Sequence, residues 1–155
     1  MPDGMMIAVD ELEDFLLQME LATLEETPLY EISMGSVDVV TPPVTHGPWP
    51  TASCAAVLRI WHKAGWIGLY LPDYPSDWDL IPADWCTRLI DGDVLTVPDA
   101  EELLDHPERW LLRHADGHVV PYKTAGGQTT PWEQWRNKAL NTARRLPLRT
   151  DDPKR

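Results

Sequence analysis

The sequence predicts an α+β fold: a small antiparallel sheet packed by two or three helices, with an acidic helix at the N-terminal end. Three observations carry this. Segments 10–25, 52–64 and 131–146 repeat apolar residues at helical spacing. Short β-rich runs at 66–71, 93–97, 109–114 and 118–123 supply strands for one small sheet. The 155 residues, 43% hydrophobic and 25% charged, have the balance of a folded globular chain rather than a disordered one.

In chain order, Asp10 to Glu25 reads as a helix, because Leu12, Phe15, Leu16, Met19 and Ala22 recur on one face. The acids of DELED fall in its first turn, where the helix dipole favours them. Leu17, Leu21 and Leu24 form a second stripe about 140° around the axis. A helix with two apolar faces is either enclosed by its own core or bound to something else. Pro28 ends it, and SVDVV (36–40) reads as a short strand. TPPVTHGPWP (41–50), with prolines at 42, 43, 48 and 50, reads as an extended connector. It divides an acidic helical arm (1–40) from a core domain (51–147), after which 148–155 is a charged tail.

ASCAAVLRIWHKA (52–64) is an Ala-rich helix with Thr51 as N-cap and Gly65 as its stop, apolar enough to be buried. WIGLYL (66–71) is a strand closed by Pro72. From 72 to 93 prolines and acids predict an irregular loop, with a short strand near Trp78–Ile81 and a short helix from Pro82 to Ile90. VLTV (94–97) reads as a strand and 98–105 as a helix led by Pro98. Residues 109–123 read as a hairpin turning at Asp116-Gly117, with Pro121 marking an edge strand. AGGQT is a flexible loop, and Thr130-Pro131-Trp132-Glu133 is a capping box opening the last helix. That helix carries Trp132, Trp135, Ala139, Ala143 and Leu146 on one face, with Arg136, Lys138, Arg144 and Arg145 on the other.

Charge is unevenly placed. The net charge is −12, and no Lys or Arg precedes Arg59 while ten acids do. Residues 73–108 hold eleven acids against Arg88, whereas 109–155 hold ten bases. Such a field repels phosphate backbones, so nucleic acid is not the expected partner. It favours a basic partner, or contact between acidic and basic parts of one protein or two copies; equally, acidity can simply maintain solubility. No run reaches the length of a membrane helix. An acidic N-terminus and only two cysteines predict a cytoplasmic setting.

Candidate chemistry is sparse. His114, Asp116 and His118 crowd one turn and offer metal-ligand atom types, although Asp-Gly is what a turn requires anyway. Asp77 and Asp79 would share a strand face as paired carboxylates, or belong to a solvated acidic loop. Cys54 and His62 are over two turns apart on one helix, too far for a nucleophile–base pair, and Cys54 reads as core; Cys86 could meet a distant His. GxSxG, Walker, GxGxxG and HExxH patterns are absent. Eight tryptophans against one phenylalanine point to core and interface anchoring. No cofactor or metal follows from these residues.

VLRIWHKAGWIGLYL resembles the third helix and first wing strand of a winged-helix domain over about fifteen residues. The resemblance implies DNA contact through Arg59, His62 and Lys63. The preceding helix of that motif is replaced here by the proline-rich connector.

The expected function is therefore a non-enzymatic protein-interaction or regulatory module, with the composition of a bacterial or phage accessory factor. Leu17, Leu21 and Leu24, rimmed by Glu13, Asp14 and Glu20, are expected to meet a basic-rimmed apolar groove. That groove belongs to another protein or to the basic final helix of a second copy. The alternatives are an acidic inhibitor mimicking nucleic acid through residues 73–105, and the winged-helix-like DNA binder.

Overall fold

Asp10 opens the first helix: its side chain accepts hydrogen bonds from the backbone N–H groups of Leu12 and Glu13. The computed structural model describes residues 10–72 and 92–150. In it α1 (Glu11–Leu24) seals the anticipated core stripe, with Phe15, Leu16, Met19 and Ala22 all buried. A single turn, α2 (Leu29–Ile32), then buries Leu29 and Ile32. β1 (Ser36–Asp38) and β2 (Val44–His46) pair antiparallel, Ser36 facing His46 and Asp38 facing Val44. The stretch 41–50 is thus no open spacer. It supplies β2 and then inserts Trp49 beside Phe15, edge to face at 5.2 Å.

α3 (Thr51–Lys63) lies at the centre, its Cys54, Val57, Leu58 and Trp61 without solvent exposure. Pro50, not Thr51, occupies the cap position. The helix stops as anticipated at Gly65, whose φ of +81° is a left-handed value that suits glycine. β3 (Ile67–Pro72) forms the middle of a three-stranded antiparallel sheet between β4 (Gly92–Val94) and β5 (Val120–Lys123). Leu69 faces Pro121 and Tyr70 faces both Val94 and Val120. Pro121 does lie on an edge strand, where its missing N–H costs no ladder bond. α4 (Val97–Asp105), capped by the Thr96 hydroxyl, α5 (Ala125–Gln128) and α6 (Trp132–Ala143) complete the described elements.

α6, α4 and α1 all pack on α3, and α1 also packs on α6 and β5. Trp61 donates from its indole N–H to the Trp135 carbonyl at 2.9 Å, and the two rings meet edge to face at 4.9 Å. The buried residues of α1 and those of 51–147 belong to one apolar cluster. The class is α+β, with two small antiparallel sheets among the described residues.

Three further local expectations are corrected. Residues 109–123 are not a hairpin: 3-10 turns at Pro107–Arg109 and Ala115–His118 replace the first strand, and β5 pairs with β3 instead. Side-chain burial overrides the Asp-Gly signal here. Trp110 is buried and donates its indole N–H to the Leu103 carbonyl, while Arg109 folds back onto Asp116. Gly117 sits so close to the Leu111 carbonyl that a Cβ would lie 2.0 Å from its oxygen. AGGQT is helical rather than a flexible loop, because the Thr124 hydroxyl accepts from the Gly127 N–H. The capping box does not form: α6 has no side-chain cap, and the Thr130 hydroxyl donates to the Gly126 carbonyl instead. The readings for 73–91, including the Trp78–Ile81 strand, the Pro82–Ile90 helix, Asp77, Asp79 and Cys86, lie outside the described residues.

Candidate functional site

Because α1 buries the arc around Phe15 and Met19, helical geometry places Leu17, Leu21 and Leu24 on the opposite, outward arc. Leu17 is 40% exposed and Leu24 60% exposed, with Leu21 half-buried between them. The second stripe read from the sequence is therefore on the surface of the folded chain.

Its acidic neighbours are engaged within the chain. On one flank Glu13 accepts two bonds from Arg136 of α6, at 2.7 and 2.5 Å, and Glu20 pairs with Lys123 of β5. The Arg136 guanidinium holds the Glu13 carboxyl below its ordinary range, and is itself raised by that carboxylate. Lys123 also lies 4.9 Å above the Trp135 ring. On the other flank Asp14 takes His46 of β2 at 2.9 Å, and Glu11 takes Arg149 at 3.0 Å. The same His46 ring bonds Asp38 through its other nitrogen at 2.9 Å, so one imidazole joins the hairpin to α1. Asp38 first and Asp14 second raise the His46 pKa above its ordinary value, against a smaller opposing effect of burial.

The C-terminal end of α1 is different. Glu25 and Glu31 are exposed and have no in-chain cation among the described residues, and Glu26 meets only the Tyr70 hydroxyl, at 2.5 Å. Between α1, α2 and β1 lies a groove floored by Leu21, Ala22, Ile32 and Trp49, with Glu25 and Glu31 at its rim. The sequence pointed to Leu21 but missed Glu25, Glu31, Ile32 and Trp49. No spacing could have joined them, since they come from three elements brought together by the Pro28 break and the return of the hairpin.

Among the described residues, most of the remaining candidates are bonded within the chain or buried. In the His114–His118 turn, Asp116 holds Arg109, and His118 donates to the Leu112 carbonyl at 2.6 Å. Among the described residues no group of three His, Cys, Asp or Glu is arranged to hold a metal. Cys54 is buried, which pushes its thiol up to about 12. Of the residues implied by the winged-helix resemblance, His62 is buried against α3's neighbours and its pKa is lowered by that burial. Arg59 is tied to Asp105 at 2.7 Å, while Lys63 is exposed. On α4, which belongs to the acidic 73–105 segment, Glu102 is likewise bonded to Arg109. Of the eight tryptophans, Trp49, Trp61, Trp110 and Trp135 are buried, and Trp66 and Trp132 pack on the core. Among the described residues no helix is long and apolar enough to cross a membrane. No protein-family model, no curated protein and no solved structure matches this chain.

Proposed function

We propose that this protein is a non-enzymatic interaction or regulatory module that engages a protein partner through the outer face of α1. One observation carries the reading: Leu17 and Leu24 are exposed on a helix whose opposite face is sealed. Among the described residues, the burial of α1 is supplied by Phe15, Leu16, Met19 and Ala22, on the face away from Leu17 and Leu24. The partner presents an apolar groove with basic residues at its edge, in keeping with the acids around α1. A cytoplasmic setting goes with this reading, Cys54 being a buried free thiol.

The test is in-cell photo-crosslinking, with a photoreactive amino acid at position 24 or, as control, at the exposed position 138 on α6. A discrete adduct is expected from position 24, lost on introducing Leu17→Ser and not formed from position 138. Equal adducts from both positions, or none from position 24, would overturn the proposal.

A further inference from the structure

Among the described residues, three cavities compete as an unassigned site. The largest is a cavity of about 370 Å³ between β2 and the C-terminal segment. Its charged groups, Glu11, Asp14, His46 and Arg149, are bonded to one another, so little polar capacity is left for a ligand. A second, of about 260 Å³, is lined by Asp99, Glu102, Arg109 and Asp116, where Arg109 is shared by Glu102 and Asp116. The third is the groove between α1, α2 and β1. It is small, about 110 Å³, lined by Leu21, Ala22, Ile32 and Trp49 together with Gln18, Thr27 and Ser36, and its carboxylates Glu25 and Glu31 meet no cation among the described residues.

We infer that this groove is the seat for a basic segment of a protein partner, taken through one apolar side chain with Lys or Arg beside it. The inference deepens the proposed function and rests on it. Volume excludes the usual alternative: small-molecule sites occupy about 300–1,000 Å³, whereas this groove has room for the end of one side chain. Leu21, Ala22, Ile32 and Trp49 supply an apolar floor. Glu25 projects from the end of α1 and Glu31 from α2, so the floor is flanked by negative charge on two elements. Glu11, Glu13, Asp14 and Glu20 all have in-chain cationic partners, whereas Glu25 and Glu31 at the groove end have none among the described residues. A carboxylate rim around an apolar floor selects a complementary cation-flanked apolar residue, and repels an acidic one. A second copy of this chain fits less well, because two molecules of net charge −12 repel.

The experiment uses the full chain, isotope-labelled for amide NMR. The probe is a synthetic peptide with two central leucines flanked by lysines, compared with the same peptide carrying glutamates. The lysine peptide is expected to shift the amides of Leu21, Ile32 and Gly35, and the glutamate peptide to leave them unmoved. Glu25→Gln with Glu31→Gln should weaken binding about two- to thirtyfold, as two exposed ion pairs allow. Glu11→Gln, whose carboxylate is already held by Arg149, should leave it unchanged. Equal weakening by Glu11→Gln, shifts located elsewhere, or no binding would overturn the assignment. So would concentration-dependent self-association in sedimentation that places these same amides in a dimer interface. The two proposals separate cleanly. A cross-link at position 24 without peptide binding removes the groove and leaves the proposed function; peptide binding without a cross-link removes the reading on which the groove rests, and with it the assignment.

Discussion

The two ends of α1 carry the same kind of charge and use it differently. At the N-terminal end Glu11, Glu13 and Asp14 hold Arg149, Arg136 and His46, and Glu20 in the following turns holds Lys123. These contacts fasten the helix to α6, to both sheets and to the C-terminal segment. At the other end Glu25 and Glu31 stand beside a groove with no described cation near enough to pair. The lesson is that acidity in a sequence is not the same as free charge on a surface. Three of the ten acids before Arg59, namely Glu11, Glu13 and Glu20, are met by bases that the chain supplies after residue 120, and Asp14 and Asp38 are met by His46. Around α1, the described acids left beside the groove are Glu25 and Glu31, and their position depends on the tertiary pairing.

The sharpest way to break this comparison is to remove the burial that seats α1. Phe15→Ala should cost about 3–5 kcal/mol, the range for deleting a buried aromatic, because Phe15 has no exposed surface and touches Trp49. Leu24→Ser, on the outward face, should stay within about 0.5 kcal/mol, as surface substitutions do. Urea denaturation of both variants checks the contrast. A comparable loss from Leu24→Ser would mean that its side chain contributes to the folded monomer, and the interaction surface would lose its main support.

A smaller effect separates held acids from free ones. Glu20 and Lys123 keep only 13% and 16% of their side-chain surface exposed. Glu20→Gln leaves a largely desolvated ammonium without its counter-charge and should cost about 1–3 kcal/mol. Glu25→Gln removes an unpaired carboxylate and should cost nothing measurable. A double-mutant cycle with Lys123→Met should recover most of the Glu20→Gln loss. Additive losses in that cycle would show that Glu20 stabilises the fold by something other than this pair.

How much of this was legible beforehand follows from the range of each interaction. Helical periodicity is local, so α1, α3 and α6 were visible from apolar spacing, and Pro28 and Gly65 marked two of their ends. The outward leucine stripe was visible for the same reason. What failed was local signal overruled by distant packing. Asp116-Gly117 resembles a hairpin turn, but Trp110 sinks beneath it and Arg109 clasps Asp116, so the chain coils instead. Thr130 and Glu133 have capping-box spacing, yet the Thr130 hydroxyl is taken by Gly126. Glu13, Asp14 and Glu20 were read together as an acidic rim beside the leucines. Their division into held and free was invisible because the partners, Arg136, Lys123 and Arg149, lie more than a hundred residues away.

The gentlest test concerns the hairpin that walls the groove and is fastened by His46. This imidazole faces Asp14 and Asp38, with Glu11 and Arg149 across the adjoining cavity. Both ring nitrogens can donate only when the ring is protonated. Its folded pKa is raised, by Asp38 and then Asp14, so the stabilisation is fully present below the unfolded value of about 6.5 and is lost as pH climbs through the folded value. On deprotonation one carboxylate must be released. Asp38, 60% exposed, is the one that water can satisfy, whereas Asp14 at 12% keeps the ring. The loss should be on the order of 1 kcal/mol, the worth of one hydrogen bond, and confined to the hairpin. Amide exchange at Val37 and Thr45, corrected for intrinsic rates, should therefore quicken above neutral pH while Leu16 and Met19 stay protected. In His46→Gln that pH dependence should vanish, since glutamine cannot titrate. If the hairpin exchanged at the same corrected rate throughout, the Asp14–His46–Asp38 bridge would not fasten it, and the groove wall would depend on the Trp49 anchor alone.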